Sequence, residues 1–228
     1  MDLLALQRRL AETGRDPGLL DGRWGAKTRA AVLKAMEDGP DTSLARADLV
    51  ASAQRLGVEY AAIKAVDVVE AAGAGFQDGY PKILAEPHRF SKATKGVHDR
   101  SHPAISYPRW GQRPYPKLQA DRYSQLAEMV GLNVDAGFAS ASYGRFQILG
   151  ENFRVCGYAS SFDFAEAMAR DEQTQLMAFE RFLIANGLVP TLKARNWAAF
   201  ARGYNGTAYR QNKYDEKLAA AYQKALRS

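Results

Sequence analysis

Glu59-Tyr-Ala-Ala-Ile63-Lys-Ala-Val66-Asp-Val-Val-Glu70-Ala-Ala-Gly73-Ala-Gly75 is the stretch from which the architecture is read. Its apolar spacing predicts a helix over Glu59–Ala72, ended by Gly73 and Gly75. Ile63, Val66 and Glu70 stand at i, i+3 and i+7, so a carboxylate shares the stripe its neighbours use for burial. It also falls in the last turn, where the helix dipole disfavours negative charge. Both effects favour the neutral carboxyl. A carboxyl that keeps its proton in an apolar cleft suits a general acid, notably one that protonates a glycosidic oxygen. The competing reading turns Glu70 sideways to pair with a lysine or arginine. Glu86, on an extended stretch beyond the Gly-rich break, is the candidate second carboxylate, with a salt bridge to Arg89 as its alternative.

Upstream, residues 2–13 predict a helix with Leu3, Leu6 and Leu10 on one face and Gly14 at its end. Asp21-Gly22 marks a turn, and a helix after Trp24-Gly25 carries Thr28, Val32 and Met36 in register. The cluster Asp38-Gly39-Pro40-Asp41 reads as a boundary. Two helices and a turn are too small for much stability alone, so this unit is expected to lean on the remainder. A further helix over 44–56 stops at Gly57. Pro81 to Pro116 holds six of the nine prolines, which forbids long helices there and leaves an irregular segment with a short strand over Lys82–Glu86. From Leu118 onward the pattern is helical. Asp163-Phe164-Ala165-Glu166 has capping-box spacing before an apolar run through Met168, Leu176, Phe179 and Leu183. The last helices carry Trp197 and Phe200 and then, after Tyr204-Asn205-Gly206, Leu218 and Tyr222. The fold class is mainly α, with one small irregular or β-containing insert.

The chain has 228 residues, 46% hydrophobic and 25% charged, enough for one large domain or a main domain with a small companion. Its one cysteine, Cys156, excludes an intramolecular disulfide and a Cys-based zinc cage, and reads as a small core residue. His98 and His102 have a metal-like i, i+4 spacing, but Pro103 interrupts and no third ligand stands near, so no metal and no cofactor are expected. No apolar run is long enough to span a membrane, and the first residues lack the order of a secretion signal. Between Lys82 and Lys117, eight basic residues face only Glu86 and Asp99, so this segment holds the whole +6 excess of the chain. Such a patch suits an anionic partner, whether nucleic acid, a lipid surface or an acidic wall polymer; on charge alone a solvated loop is the simpler reading. No nucleic-acid motif accompanies it. Tyr107 and Trp110 in the same segment either stack on sugar faces or pack ordinarily.

Three separated segments resemble the superfamily of goose-type lysozymes and soluble lytic transglycosylases: Val69-Glu70-Ala71, Ala141-Ser-Tyr-Gly-Arg-Phe-Gln147-Ile148, and Phe200-Ala-Arg-Gly-Tyr204-Asn205-Gly206. Residues 58–228 are more closely similar to the N-acetylmuramidase domain of bacteriophage endolysins, through Glu70–Phe76, Lys82–Phe90, Ser140–Gln147 and Tyr204–Gly206. Residues 1–40 resemble a small peptidoglycan-binding module, carried by Asp21, Gly22, Trp24 and Thr28, with 41–57 as a linker helix. Ala71 and Ala85 depart from the usual residues, a serine and a bulkier side chain.

The resemblance implies a lysozyme-like α+β catalytic domain in which Glu70 protonates the oxygen between N-acetylmuramic acid and N-acetylglucosamine. Glu86 would position water or stabilise charge. His88, Gln147, Tyr204 and Asn205 would meet the substrate or support the carboxyls. The chain would act as a monomer on peptidoglycan glycan strands, waiting in the host cytoplasm until a separate membrane-permeabilising protein releases it. A lytic transglycosylase and a non-catalytic wall-binding protein are the alternatives.

Overall fold

Asp2 starts the first helix: its carboxylate accepts the Ala5 N–H at 2.8 Å, serving one of the donors that a helix start leaves unpaired. This helix, α1 (Leu3–Glu12), buries Leu6, Gln7 and Leu10 and packs on α2 (Ala26–Ala35), which buries Thr28 and Val32. The structure, a computed structural model, describes residues 1–37, 39–70 and 73–227. The boundary expected at Asp38, the helix end expected at Ala71 and Ala72, and the Ala71 departure therefore lie outside the described residues. Next come α3 (Arg46–Leu56), stopped at Gly57 as expected, and α4 (Tyr60–Glu70).

The insert is more ordered than its proline content suggests. A hairpin of β1 (Phe76–Gln77) and β2 (Tyr80–Pro81) precedes β3 (Ile83–Ala85) and then a helix, α5 (Pro87–Ala93). Pro87 occupies the first turn of α5, where the missing N–H has no intrahelical partner to lose, so here proline starts a helix. After α6 (Gln119–Leu132) and α7 (Val134–Ala139), the stretch expected to continue as helix forms β4 (Ala141–Tyr143) and β5 (Ile148–Leu149) instead. The three strands pair antiparallel in the order β3-β4-β5, with Leu84 opposite Ser142 and Tyr143 opposite Ile148. All three residues of β4 are buried, so no two-residue alternation betrays it.

Two helices share the apolar run that follows: α8 (Ser161–Met168) and α9 (Glu172–Ala185). The expected capping box at Asp163 and Glu166 is displaced by three residues. Ser160 is the N-cap, accepting the Asp163 N–H at 3.0 Å and donating its hydroxyl to the Asp163 carboxylate at 2.8 Å. Glu166 instead meets Arg15 at 2.6 Å. Then follow α10 (Val189–Lys193), α11 (Trp197–Asn205), a 3-10 segment over Thr207–Asn212, and α12 (Tyr214–Ala225).

One continuous core runs from Leu6, Leu10, Val32 and Met36 through Val66, Phe146 and Phe179 to Leu218, crossing both boundaries drawn in the sequence. The N-terminal unit does lean on the rest: Arg15 pairs with Glu166 at 2.6 Å, and the Trp24 ring lies against Gly131. Within this frame α4 packs against α3 and α12, and Ala61, Ala62 and Ala65 admit Tyr222 and Ala225 at close range. Among the described residues no helix is long and apolar enough to cross a membrane.

Candidate active site

The end of α4 is where the carboxyl of Glu70 stops. Ile63, Val66 and Asp67 on the same helix are fully buried, whereas Glu70 is half-buried, at the point where the stripe leaves the core. Loss of hydration pushes its pKa up to about 7, against the smaller opposing pull of a hydrogen bond from Asn205 and the charge of Lys217. The bond runs from the Asn205 amide to Glu70 Oε1 at 3.1 Å. Among the described residues Glu70 forms no ion pair, so the reading that turned it toward a lysine or arginine is not met; Lys217 acts on it only at a distance. Asn205 ends α11 and lines a cleft of about 500 Å³.

The opposite wall of that cleft begins where β3 turns into α5. Glu86 caps this helix, its own N–H held by the Ser140 carbonyl at 2.9 Å. Burial raises its pKa, while Arg89 at 3.3 Å works in the other direction. His88 Nε2 also lies 3.3 Å from Glu86 Oε2. Burial and the neighbouring Arg89 lower the His88 pKa, which favours the uncharged ring beside Glu86. Glu86, His88, Arg89 and Trp110 thus face Asn205 and Tyr214 across one cleft, and the Arg89 salt bridge coexists with a place in it. Among the described residues, two buried polar atoms of cleft residues, His88 Nδ1 and Asn205 Oδ1, have no protein partner. Such atoms are rare in native folds and mark places a ligand or solvent must satisfy.

Other expected site residues have internal duties. Both amide hydrogens of Gln147 go to backbone carbonyls, Gly144 at 2.8 Å and Lys82 at 3.1 Å, and its oxygen accepts from Ser142 at 2.8 Å. The side chain closes the β4–β5 turn and keeps no hydrogen for a sugar N-acetyl group. Tyr204 donates its hydroxyl to the Phe146 carbonyl at 2.7 Å rather than to Glu70, so of the pair only Asn205 holds the carboxyl. In the N-terminal unit, Asp21, Gly22 and Thr28 converge on the Gln7 amide at 3.3, 2.8 and 3.1 Å, and the Trp24 ring lies against Gly131 of α6. These contacts hold the unit together and seat it: Thr28 is buried and Trp24 half-buried, while Asp21 bonds Gln7 from an exposed position. His98 stacks on Phe90 and edges His102, and no metal-holding cluster occurs among the described residues.

A buried ion network that the sequence reading passed over supports the site from behind. Arg145 pairs with Asp67 at 2.5 Å and with Glu172 at 3.0 Å, both carboxylates being almost fully buried. Glu172 also accepts the N–H of Gly75, in the loop that follows Glu70, and the N–H of Leu44 at 2.8 Å. Gln175 takes the Arg145 N–H at 2.6 Å and presses so closely on Gly144 that any Cβ there would lie 2.3 Å from its side chain. The end of the Glu70 helix and the β4–β5 turn are therefore fastened to one anchor. Asp67, at i+4 from Ile63 on the buried stripe, was the available signal.

Comparison with known proteins accords with this geometry. The family described as N-acetylmuramidase matches over residues 59–226. No curated protein matches the chain. Among solved structures, that of a Burkholderia AP3 phage endolysin is similar, at 34% identity and a TM-score of 0.74, covering 99% of this chain and 94% of that one. The fold is thus the lysozyme-like α+β arrangement, and the chain belongs to the N-acetylmuramidase family, glycoside hydrolases of bacterial peptidoglycan.

Proposed function

We propose that Glu70 is the general acid that cleaves the β-1,4 bond between N-acetylmuramic acid and N-acetylglucosamine. The observation that carries this reading is a half-buried carboxyl held by Asn205, a residue that lines the cleft; burial pushes its pKa up to about 7. A group with that pKa is neutral in mildly acidic and near-neutral media yet acidic enough to release its proton. In the proposed step the proton passes from Glu70 to the bridging oxygen as the bond from that oxygen to the muramyl C1 breaks. Positive charge builds on C1, and water adds there and gives up a proton.

Glu86 is the group we assign to that charge or to the attacking water. His88 and Arg89 fix its orientation, and Arg89 supports its ionised form. The local basic excess draws the anionic wall into the cleft. Following the description of its structural neighbour, we place the chain as a phage endolysin that reaches the wall once another protein has opened the membrane.

Mass spectrometry of purified peptidoglycan digested by the wild type and by Glu70→Gln tests the reading. Reducing muramic ends from the wild type and none from the variant support it. Products with 1,6-anhydro ends would assign attack to the muramyl 6-hydroxyl, as in a transglycosylase. Undiminished cleavage by Glu70→Gln would remove Glu70 from its role.

A further inference from the structure

Trp110 is the large aromatic side chain that the fold leaves in water, with 69% of its surface exposed, whereas Trp24 and Trp197 are half-buried against the core. Its position is built. Arg109 to Gln112 form a turn closed by the Gln112 N–H on the Arg109 carbonyl at 3.3 Å, and Gly111 at φ +73° supplies the left-handed third position. The indole lies beside the Tyr115 hydroxyl, and most of its ring surface stays open to solvent. Tyr115 in turn stands close enough to Glu86 and Tyr107 to feel their charge, so the indole is fixed to the wall that carries Glu86.

Across the cleft the lining has the opposite character. Gly206 ends α11, and the 3-10 segment that follows brings Thr207, Gln211 and Asn212 to the same cleft. Among the described residues none of these three side chains has a hydrogen-bond partner, and all three are exposed. One wall thus offers a flat apolar ring, and the other offers a hydroxyl and two amides. A pyranose has matching halves: a face of C–H groups and an edge of hydroxyls and, in an N-acetylhexosamine, an amide.

We infer that Trp110 is a glycan platform of this cleft, stacking on the apolar face of an N-acetylhexosamine while Thr207, Gln211 and Asn212 bond its polar edge. The inference rests on the reading of the cleft as the peptidoglycan site. It gives the proline-rich segment a purpose, to carry an indole to the rim, and gives the amide function once expected of Gln147 to Gln211 and Asn212. Stacking of this kind holds substrate and transition state alike, so its loss raises KM and leaves kcat nearly unchanged.

The experiment uses the Glu70→Gln chain, which binds without consuming its ligand, titrated with the tetramer of N-acetylglucosamine and followed by tryptophan fluorescence. The expected result is a change in emission on binding that disappears in Glu70→Gln/Trp110→Ala, with affinity about tenfold weaker by calorimetry. Trp110→Phe, which keeps a ring face, should restore most of the affinity. On purified wall, Trp110→Ala with Glu70 intact should raise KM by a similar factor. Equal affinity and equal KM for the alanine variant overturn the platform while leaving the role of Glu70 standing. Undiminished lysis by Glu70→Gln alone overturns the reading of the cleft on which it rests.

Discussion

Replacing Glu70 by glutamine should make the protein more stable at alkaline pH and leave its relative stability unchanged in acid. The carboxyl has a pKa of about 7 in the folded chain against 4.5 when free, because burial outweighs Asn205 and Lys217. Between those values the native state binds more protons at this position than the unfolded chain. Unfolding free energy therefore falls as pH rises through the window. Below pH 4.5 both states are protonated and no penalty exists. Above pH 7 the folded protein carries the full cost of a desolvated charge, about 3 kcal/mol at one pKa unit per 1.4 kcal/mol. Glutamine has no charge to desolvate, and its carbonyl still accepts the Asn205 amide, so the substitution removes the penalty and keeps the bond. For a chain of this length that difference corresponds to roughly 6 °C or more in melting temperature. Urea unfolding of both proteins at pH 4, 5, 6, 7, 8 and 9 is the assay, read as the difference so that other titrating groups cancel. The stability advantage of Glu70→Gln should grow from pH 4.5 to 7 and then level off. A difference that stays constant across the series would refute the desolvated carboxyl.

Three further outcomes follow from the same contacts. Lys217 is exposed and pulls the Glu70 pKa down, so Lys217→Ala should move the alkaline limb of wall cleavage to higher pH; an unmoved limb would confine Lys217 to the surface. Glu172→Gln should cost about 2–3 kcal/mol in denaturant unfolding, because it removes the charge that holds Arg145 and the Gly75 and Leu44 N–H groups while Asp67 still compensates Arg145; a cost under 1 kcal/mol would show the network to be dispensable. Gln147→Ala should lower stability by about 1–3 kcal/mol through the orphaned turn carbonyls and leave KM for wall nearly unchanged, whereas a large rise in KM with full stability would return Gln147 to the sugar.

The helical frame was legible because its signals are periodic or punctual. The stripe of Ile63 and Val66 located α4, and the same stripe singled out Glu70, since a carboxylate there conflicts with its neighbours. Gly57 marked a helix end and adopts the left-handed conformation it suggested. The strand expected over Lys82–Glu86 is found as β3, but its partners were not legible: β4 is three residues long and buried throughout, and β5 has two residues, too few for an alternation to register. Pro87 misled in the other direction, since at the first turn of α5 it starts a helix. Side-chain duties were the least legible. Gln147 and Asn205 both carry an amide, yet one faces carbonyls of its own turn and the other faces Glu70, a difference made by tertiary contacts far apart in sequence. Asp21 and Thr28 stood beside Gln7 in the resemblance, but that the Gln7 amide gathers both is a tertiary contact the sequence does not spell out.

Glu70 remaining protonated in the folded protein is the claim on which the chemistry depends, and carbon-13 NMR of the labelled Glu70 side-chain carboxyl, assigned by its absence in Glu70→Gln, measures it directly. The account predicts a titration midpoint near pH 7 in the folded chain. A midpoint at 4.5, the ordinary value for a glutamate, would contradict it.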